Sequence, residues 1–150
     1  MNFDFILSCI DVFSRYTFLE PSKKRDSNAI SKCLDKIIKR EKIQPKFIIC
    51  DNGGEFEKDF ETYCKDHDIT IRRNRAYSPQ ANGIVERSNK EVRKLLRSIM
   101  LENKSTNWVD NLRKVEEYKN NTFTTSIDNL PNKIWTPTNE PIDSKVSHFL

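Results

Sequence analysis

Apolar residues recur along the chain with two periods, near two and near 3.6, and these outline the elements. Phe3-Asp4-Phe5-Ile6-Leu7-Ser8-Cys9-Ile10 and Tyr16-Thr17-Phe18-Leu19-Glu20 are apolar, β-prone runs. They predict a strand hairpin or one long bent strand, with the bend at Asp11 to Arg15 and a stop at Pro21. Ile30, Cys33, Leu34, Ile37 and Ile38 then form a helical stripe. It predicts a helix capped by Asp26 or Ser27 and running to about Lys42. Pro45 precedes a strand over Lys46 to Cys50. After the Gly53-Gly54 turn, Phe56, Phe60, Tyr63 and Cys64 mark a short amphipathic helix, and Ile69 to Arg73 a strand. Residues 74–82 read as loop. Residues 83 to about 101 read as a long helix with Val85, Val92, Leu96 and Ile99 on one side. A further helix starts near Thr106 and carries Trp108, Leu112, Val115 and Tyr118 inward. The tail from Asn120, with Pro131, Pro137 and Pro141, reads mostly as loop with one helical turn at Asn132 to Trp135. Strands alternating with helices predict an α/β fold. There is no internal repeat or low-complexity tract.

Composition narrows the class without choosing a function. The 150 residues suffice for one domain with a core. Charged residues make up 32% and the net charge is +4, which suits an anionic partner but equally a solvated surface. Cys9, Cys33, Cys50 and Cys64 each sit in an apolar run or stripe. No two have a zinc-ligand spacing, and His67 and His148 do not complete one. They read as free buried thiols in a reducing compartment. Asp4 interrupts the only apolar N-terminal stretch, and no segment is long enough to cross a bilayer. The expectation is a soluble intracellular protein, nuclear or cytoplasmic, with no membrane partner.

Two acidic residues carry candidate chemistry. Asp51 follows the apolar run Phe47-Ile48-Ile49-Cys50 and opens Asp51-Asn52-Gly53-Gly54-Glu55-Phe56. The crevice beyond strand C-termini is where open α/β sheets place ligands, and glycines let a turn tighten and a substrate approach. An inert Asp-Asn-Gly turn fits the same residues. Glu86 lies in Pro79-Gln80-Ala81-Asn82-Gly83-Ile84-Val85-Glu86-Arg87-Ser88-Asn89, in the first turn of the expected helix, where capping alone would explain a carboxylate. Glu86, Lys90, Arg93, Lys94 and Arg97 share one helix face. They suit a metal-holding carboxylate followed by cations that grip phosphates, and equally a solvated face with a Glu86–Lys90 ion pair. Arg72, Arg73 and Arg75, with Tyr77 beyond them, form a basic and aromatic cluster. It suits gripping nucleic acid, or protecting an edge strand. Two carboxylates can share a divalent cation with substrate phosphates.

Three ordered motifs resemble the catalytic core of retroviral and LTR-retrotransposon integrases. They are Ile10-Asp11-Val12-Phe13-Ser14-Arg15-Tyr16, the Asp51 to Phe56 run, and Tyr77-Ser78-Pro79 through Asn89. Leu130 to Trp135 and Val146 to Leu150 resemble the end of copia-type members, so the resemblance covers nearly the whole chain. It implies a ribonuclease H-like fold, a mixed sheet flanked by helices. It also implies an Asp-Asp-Glu triad with two Mg²⁺ or Mn²⁺ ions, which clamp the attacking and leaving oxygens of a strand transfer. Asp51 matches the second carboxylate and Glu86 the third, as catalytic and metal residues. Tyr77, Asn82, Lys90 and Arg93 match DNA-contacting positions. The implied partners are DNA, both element ends and target, and further copies of the chain.

The chain departs from the pattern at the first carboxylate. Asp11 and Asp4 both match the family's second strand, so the first strand and its Asp are expected to be missing. The spacing between Asp51 and Glu86 is one residue shorter than the family's usual. The expectation is a partial core over 2–119 and an extension over 120–150, inactive alone. It includes an unpaired side on the hairpin's first strand, and with it low stability or self-association. A non-catalytic DNA-binding or assembly module derived from an integrase is the alternative. A related ribonuclease H-like nuclease is a third reading, opposed by the Pro79 to Arg87 segment.

Overall fold

The computed structural model describes residues 2–73, 79–135 and 142–149, and for 79–82 and 142–149 the backbone course alone. Strand β1 (Phe5–Asp11) turns back into β2 (Thr17–Ser22), followed by α1 (Ser27–Glu41) and β3 (Pro45–Cys50). A 3₁₀ turn (Gly54–Phe56), α2 (Asp59–Asp66) and β4 (Thr70–Arg73) come next. Then come α3 (Pro79–Glu102), α4 (Trp108–Asn120), a 3₁₀ turn (Thr125–Ile127), α5 (Pro131–Ile134) and β5 (Ile142–Phe149).

The strands make one mixed sheet in the order β2-β1-β5-β3-β4. β1 is antiparallel to β2 and β5, whereas β3 is parallel to β4 and β5. The tail strand therefore takes a central position and joins two halves that otherwise do not touch along a ladder. This overturns the expectation that β1 has an unpaired side: Ile6 to Asp11 pair with Phe149 to Ser144. An interior strand must satisfy two rows of backbone groups, and the last strand supplies the second row. The tail from Asn120, expected mostly as loop, thus also carries an eight-residue strand.

The period-two alternation of β1 and β2 sorts side chains to two faces. Leu7, Cys9 and Phe18, with Ile48 and Cys50 of β3, pack against Ile30, Leu34 and Ile37 of α1, Phe60 and Cys64 of α2, and Trp135. Ile6 and Leu19 point the other way, to Val92 of α3 and to Leu112 and Val115 of α4. The result is a sheet between two helical layers.

Helix α1 begins where its cap dictates: the Asp26 carboxylate accepts from the Ala29 N–H at 2.8 Å. Lys42, in the left-handed region at φ 53°, ends it. Strand β2 runs through Pro21, which was expected to stop it. As the sheet's edge strand it has a side on which a missing N–H costs nothing. In α4 the expected inward stripe is altered. Leu112 and Val115 are buried, but Tyr118 is exposed, and Glu116 and Asn120 are buried instead. Both make polar contacts to β2: Leu19 N–H donates to Glu116, and Asn120 exchanges two bonds with the Thr17 backbone.

All four cysteines are free and buried, as their apolar settings predict. Burial pushes the Cys50 thiol up to about 11 and the Cys64 thiol up to about 12, and raises Cys9 and Cys33 as well. The thiolate is the reactive form. At pH 8 the native protein should react with a disulfide reagent at least about a hundredfold more slowly than a free thiol. Denaturant should release all four. Rapid native titration of any of them contradicts this packing.

Candidate nucleic-acid interface and its carboxylates

Asp51 directly follows β3 and is exposed. Its Oδ1 accepts from the Gly53 N–H at 2.8 Å, which closes the turn. Arg73, at the end of β4, braces the same turn. It donates to the carbonyl of Asp51 at 3.2 Å, to the carbonyl of Phe56, and to Glu61 at 2.7 Å. Arg72 lies over the Phe47 ring at 3.7 Å. Two of the three arginines expected to grip nucleic acid therefore serve the protein's own turn and strand. Arg75 lies outside the described residues.

The glycines of the turn have a different purpose from the expected one. No described glycine has a positive φ, and Gly53 sits at φ −62°. Gly53 is needed for space: a Cβ there would lie 2.6 Å from Oε2 of Glu55. Glu55 is 7% exposed, and its Oε1 pairs with Arg25 at 3.3 Å. Gly53→Ala should push this carboxylate out of its seat. The expected result is about 1–3 kcal/mol of lost stability by urea unfolding, since a buried charged acceptor loses its partner. A neutral substitution would show that Glu55 relocates freely.

Glu86 is exposed on α3. The helix begins at Pro79, earlier than residue 83, because proline suits a first helical position. Glu86 is therefore about two turns inside the helix, and the first turn holds no acidic residue. This removes the capping explanation. Among the described residues no ion pair joins Glu86 to Lys90, which removes the simple surface pair as well. Lys90 and Arg93 are exposed and, at helical spacing, follow Glu86 on one face. Asn82 lies in the first turn of α3, and its side chain is not among those described. Tyr77 lies outside the described residues.

The structure does not bring a full metal-binding group together. Among the described residues no set of three or more His, Cys, Asp or Glu side chains is placed to hold an ion. The strand beside β3 explains part of this. Its register pairs Phe47 with Asp143 and Ile49 with Lys145. Continued, it sets Ser147 level with Asp51. The acidic residue of β5 is thus at the wrong end of the sheet, and Asp11 is also at that end, opposite Ser144. Asp11 is buried and spends Oδ2 on the Ser14 N–H and hydroxyl at 2.8 and 2.6 Å, bracing the hairpin bend. Among the described residues the donor set does not complete a three-carboxylate centre.

Sequence reading missed the charge cluster in which the buried Glu20 and Glu116 meet Arg40 and Arg113. The signal available was Glu116 beside Val115 on the inward face of its helix.

The architecture is shared with known proteins. The family model described as "Integrase core domain" matches residues 5–79. The Pro-Pol polyprotein of feline foamy virus is 28% identical over 130 residues, covering 86% of this chain and 11% of the polyprotein. The transposon Tf2-3 polyprotein of Schizosaccharomyces pombe is 27% identical, covering 89% of this chain and 10% of the polyprotein. The chain thus spans about a tenth of these curated relatives. Among solved structures, the HTLV-2 integrase catalytic core domain in complex with magnesium superposes with a TM-score of 0.74 at 21% identity, over 88% of this chain and 85% of that one. A simian T-cell lymphotropic virus intasome chain gives 0.77 at 23% identity, over 91% and 50%. The fold is that of integrase catalytic cores, ribonuclease H-like, and the chain belongs to the integrase core domain family.

Proposed function

We propose that this chain is a DNA-binding part of a retroelement integrase core, and that it does not transfer strands by itself. In this reading residues 2–119 are the core and 120–150 its extension. Lys90, Arg93, Asn82 and Tyr77 contact DNA. The observation that carries the reading is the α3 face: an exposed Glu86 with neither a capping role nor an ion pair to Lys90, continued by exposed Lys90 and Arg93. A family centre supplies Lewis-acid clamping of the reacting phosphodiester when its divalent ions are bound. In this chain Asp51 and Glu86 provide two of the three carboxylates, and no step is derived through an ion. The DNA partner places the protein in the nucleus or the cytoplasm. No described helix is long and apolar enough to cross a membrane. Further copies of the chain are the other expected partner.

A second reading is a non-catalytic DNA-binding or assembly module derived from an integrase. Duplex binding followed by fluorescence anisotropy across a salt series, with and without Mg²⁺, separates the two. Affinity should fall steeply with salt. Replacing Lys90 and Arg93 by Ala should flatten the log–log slope by about 2. A Mg²⁺ response that disappears in Asp51→Asn and Glu86→Gln supports the carboxylate pair as an ion site. Salt-sensitive binding indifferent to both substitutions supports the module. Strand-transfer products from these 150 residues would refute the inactive reading.

A further inference from the structure

A cleft of about 800 Å³ opens between α3, the β1–β2 bend and the segment that follows α4. It faces about 120° round α3 from Glu86, at about 100° per residue. Its cations are Arg15, Arg87, Lys94 and Lys119, and its acidic residue is Glu91. Lys119 and Glu91 neutralise each other at 2.9 Å. Arg15, Arg87 and Lys94 have no ion-pair partner among the described residues.

Two aromatic rings stand in this cleft unprotected. Phe123 is 58% and Tyr118 57% exposed, and both line it. Neither ring serves either core cluster. Ser88, also lining the cleft, is 3% exposed, and its Oγ has no hydrogen-bond partner among the described residues. Uncompensated cations, open aromatic faces and an unused buried hydroxyl together need a ligand that is anionic, planar in part and able to accept hydrogen bonds. An unpaired nucleotide strand has all three properties, because its bases are free to stack and its phosphates repeat along the chain. A duplex keeps its bases stacked on one another and cannot offer them to Phe123.

We propose that this cleft binds single-stranded nucleic acid, with a base stacked on Phe123 and flanking phosphates on Arg15, Arg87 and Lys94. It rests on and deepens the nucleic-acid reading of the chain; of its cations only Lys94 borders the Glu86, Lys90, Arg93 face, while Arg15, Arg87 and Phe123 lie apart from it. The protein would then hold a duplex on one flank of α3 and an unpaired strand on another.

The test is anisotropy of two probes on the full chain: a fluorescein-labelled oligothymidylate and a duplex of the same length. Phe123→Ala, at an exposed position, should weaken the oligothymidylate about fivefold or more and change the duplex by less than about twofold. Arg87→Ala combined with Lys94→Ala should weaken the oligothymidylate and lower its salt slope. Lys90→Ala with Arg93→Ala should do the reverse, weakening chiefly the duplex. If Phe123→Ala leaves oligothymidylate binding unchanged, or weakens both probes equally, the cleft proposal is overturned while the α3 face reading stands. If only the Lys90 and Arg93 substitutions are silent, the face reading falls and the cleft remains. Displacement of the oligothymidylate by polyglutamate at equal charge, unaltered by Phe123→Ala, overturns it in favour of an acidic polypeptide.

Discussion

A chain ending after Trp135 should lose its cooperative fold. Among the described residues strand β5 is the one element hydrogen-bonded to both β1 and β3, so without it the sheet falls into two two-stranded ribbons. Such ribbons are marginal in water. The strands left open are not surface strands: Leu7 and Ile48 are fully buried, and Cys9 and Cys50 nearly so. Each buried backbone N–H or C=O left unpaired costs about 1–3 kcal/mol. Several of them exceed the roughly 5–15 kcal/mol by which a domain is stable. Thermal unfolding followed by far-UV circular dichroism should show a sharp transition for the full chain and a shallow one for residues 1–135. Val146→Pro, which removes one N–H from the middle of β5, should broaden the transition while leaving chain length unchanged. A truncated chain that melts sharply within a few degrees of the full one would show that β5 is dispensable.

How far the fold could be read in advance depended on whether a residue's setting was local. Helix α1 was legible because its apolar stripe, its Asp26 cap and its end all lie within sixteen residues of one another. The β1–β2 hairpin was legible from two apolar runs around a polar bend. Strand β5 was not. Asp143, Ser144, Lys145, Ser147 and His148 leave little apolar patterning, and its place is set by two strands more than ninety residues earlier. The start of α3 was placed at residue 83 although a local signal lay earlier: Pro79 is the residue that suits a first helical position.

The site shows the same division. Asp51 at a strand end and Glu86 on an exposed helix face were visible from the residues and their spacing, and the structure places both accordingly. What the arginines do was not visible. Arg73 looks like a free cation in sequence, yet three acceptors contributed by the Asp51 turn and α2 surround it. Gly53 looked like a conformational necessity, and its reason proved to be the neighbouring Glu55 side chain. Each error concerned where a side chain packs, across elements for Arg73 and within one turn for Gly53. Periodicity and turn chemistry cannot report such contacts, because they describe a residue's own segment.

Arg40→Met should be among the most destabilising single substitutions, with a cost that depends on pH. Arg40 reaches from α1 to Glu20 of β2 at 2.6 Å and to Glu116 of α4 at 3.4 Å. Both carboxylate side chains are only 10% exposed. Arg113 contacts the same two at 2.9 Å, but it is 45% exposed, so its attraction is more screened by water. Removing Arg40 leaves two nearly buried anions sharing one half-solvated cation. Breaking such a pair from one side costs about 3–5 kcal/mol. Burial already raises the Glu116 carboxyl above its usual range, against the lowering effects of the Leu19 N–H, Arg113 and Arg40. Without Arg40 the rise is larger. A carboxyl whose folded pKa is raised contributes stability that is complete below the unfolded pKa and lost as pH climbs through the folded one. The deficit of the variant should therefore be smallest near pH 4–5 and full at pH 7, as the carboxyl gives up its proton. Urea unfolding at both pH values measures it. Adding Glu116→Gln should recover part of the loss at pH 7, because the amide carries no charge to strand. An Arg40→Met deficit that is equal at the two pH values, or below about 1 kcal/mol, would mean that water screens the cluster as it does a surface ion pair.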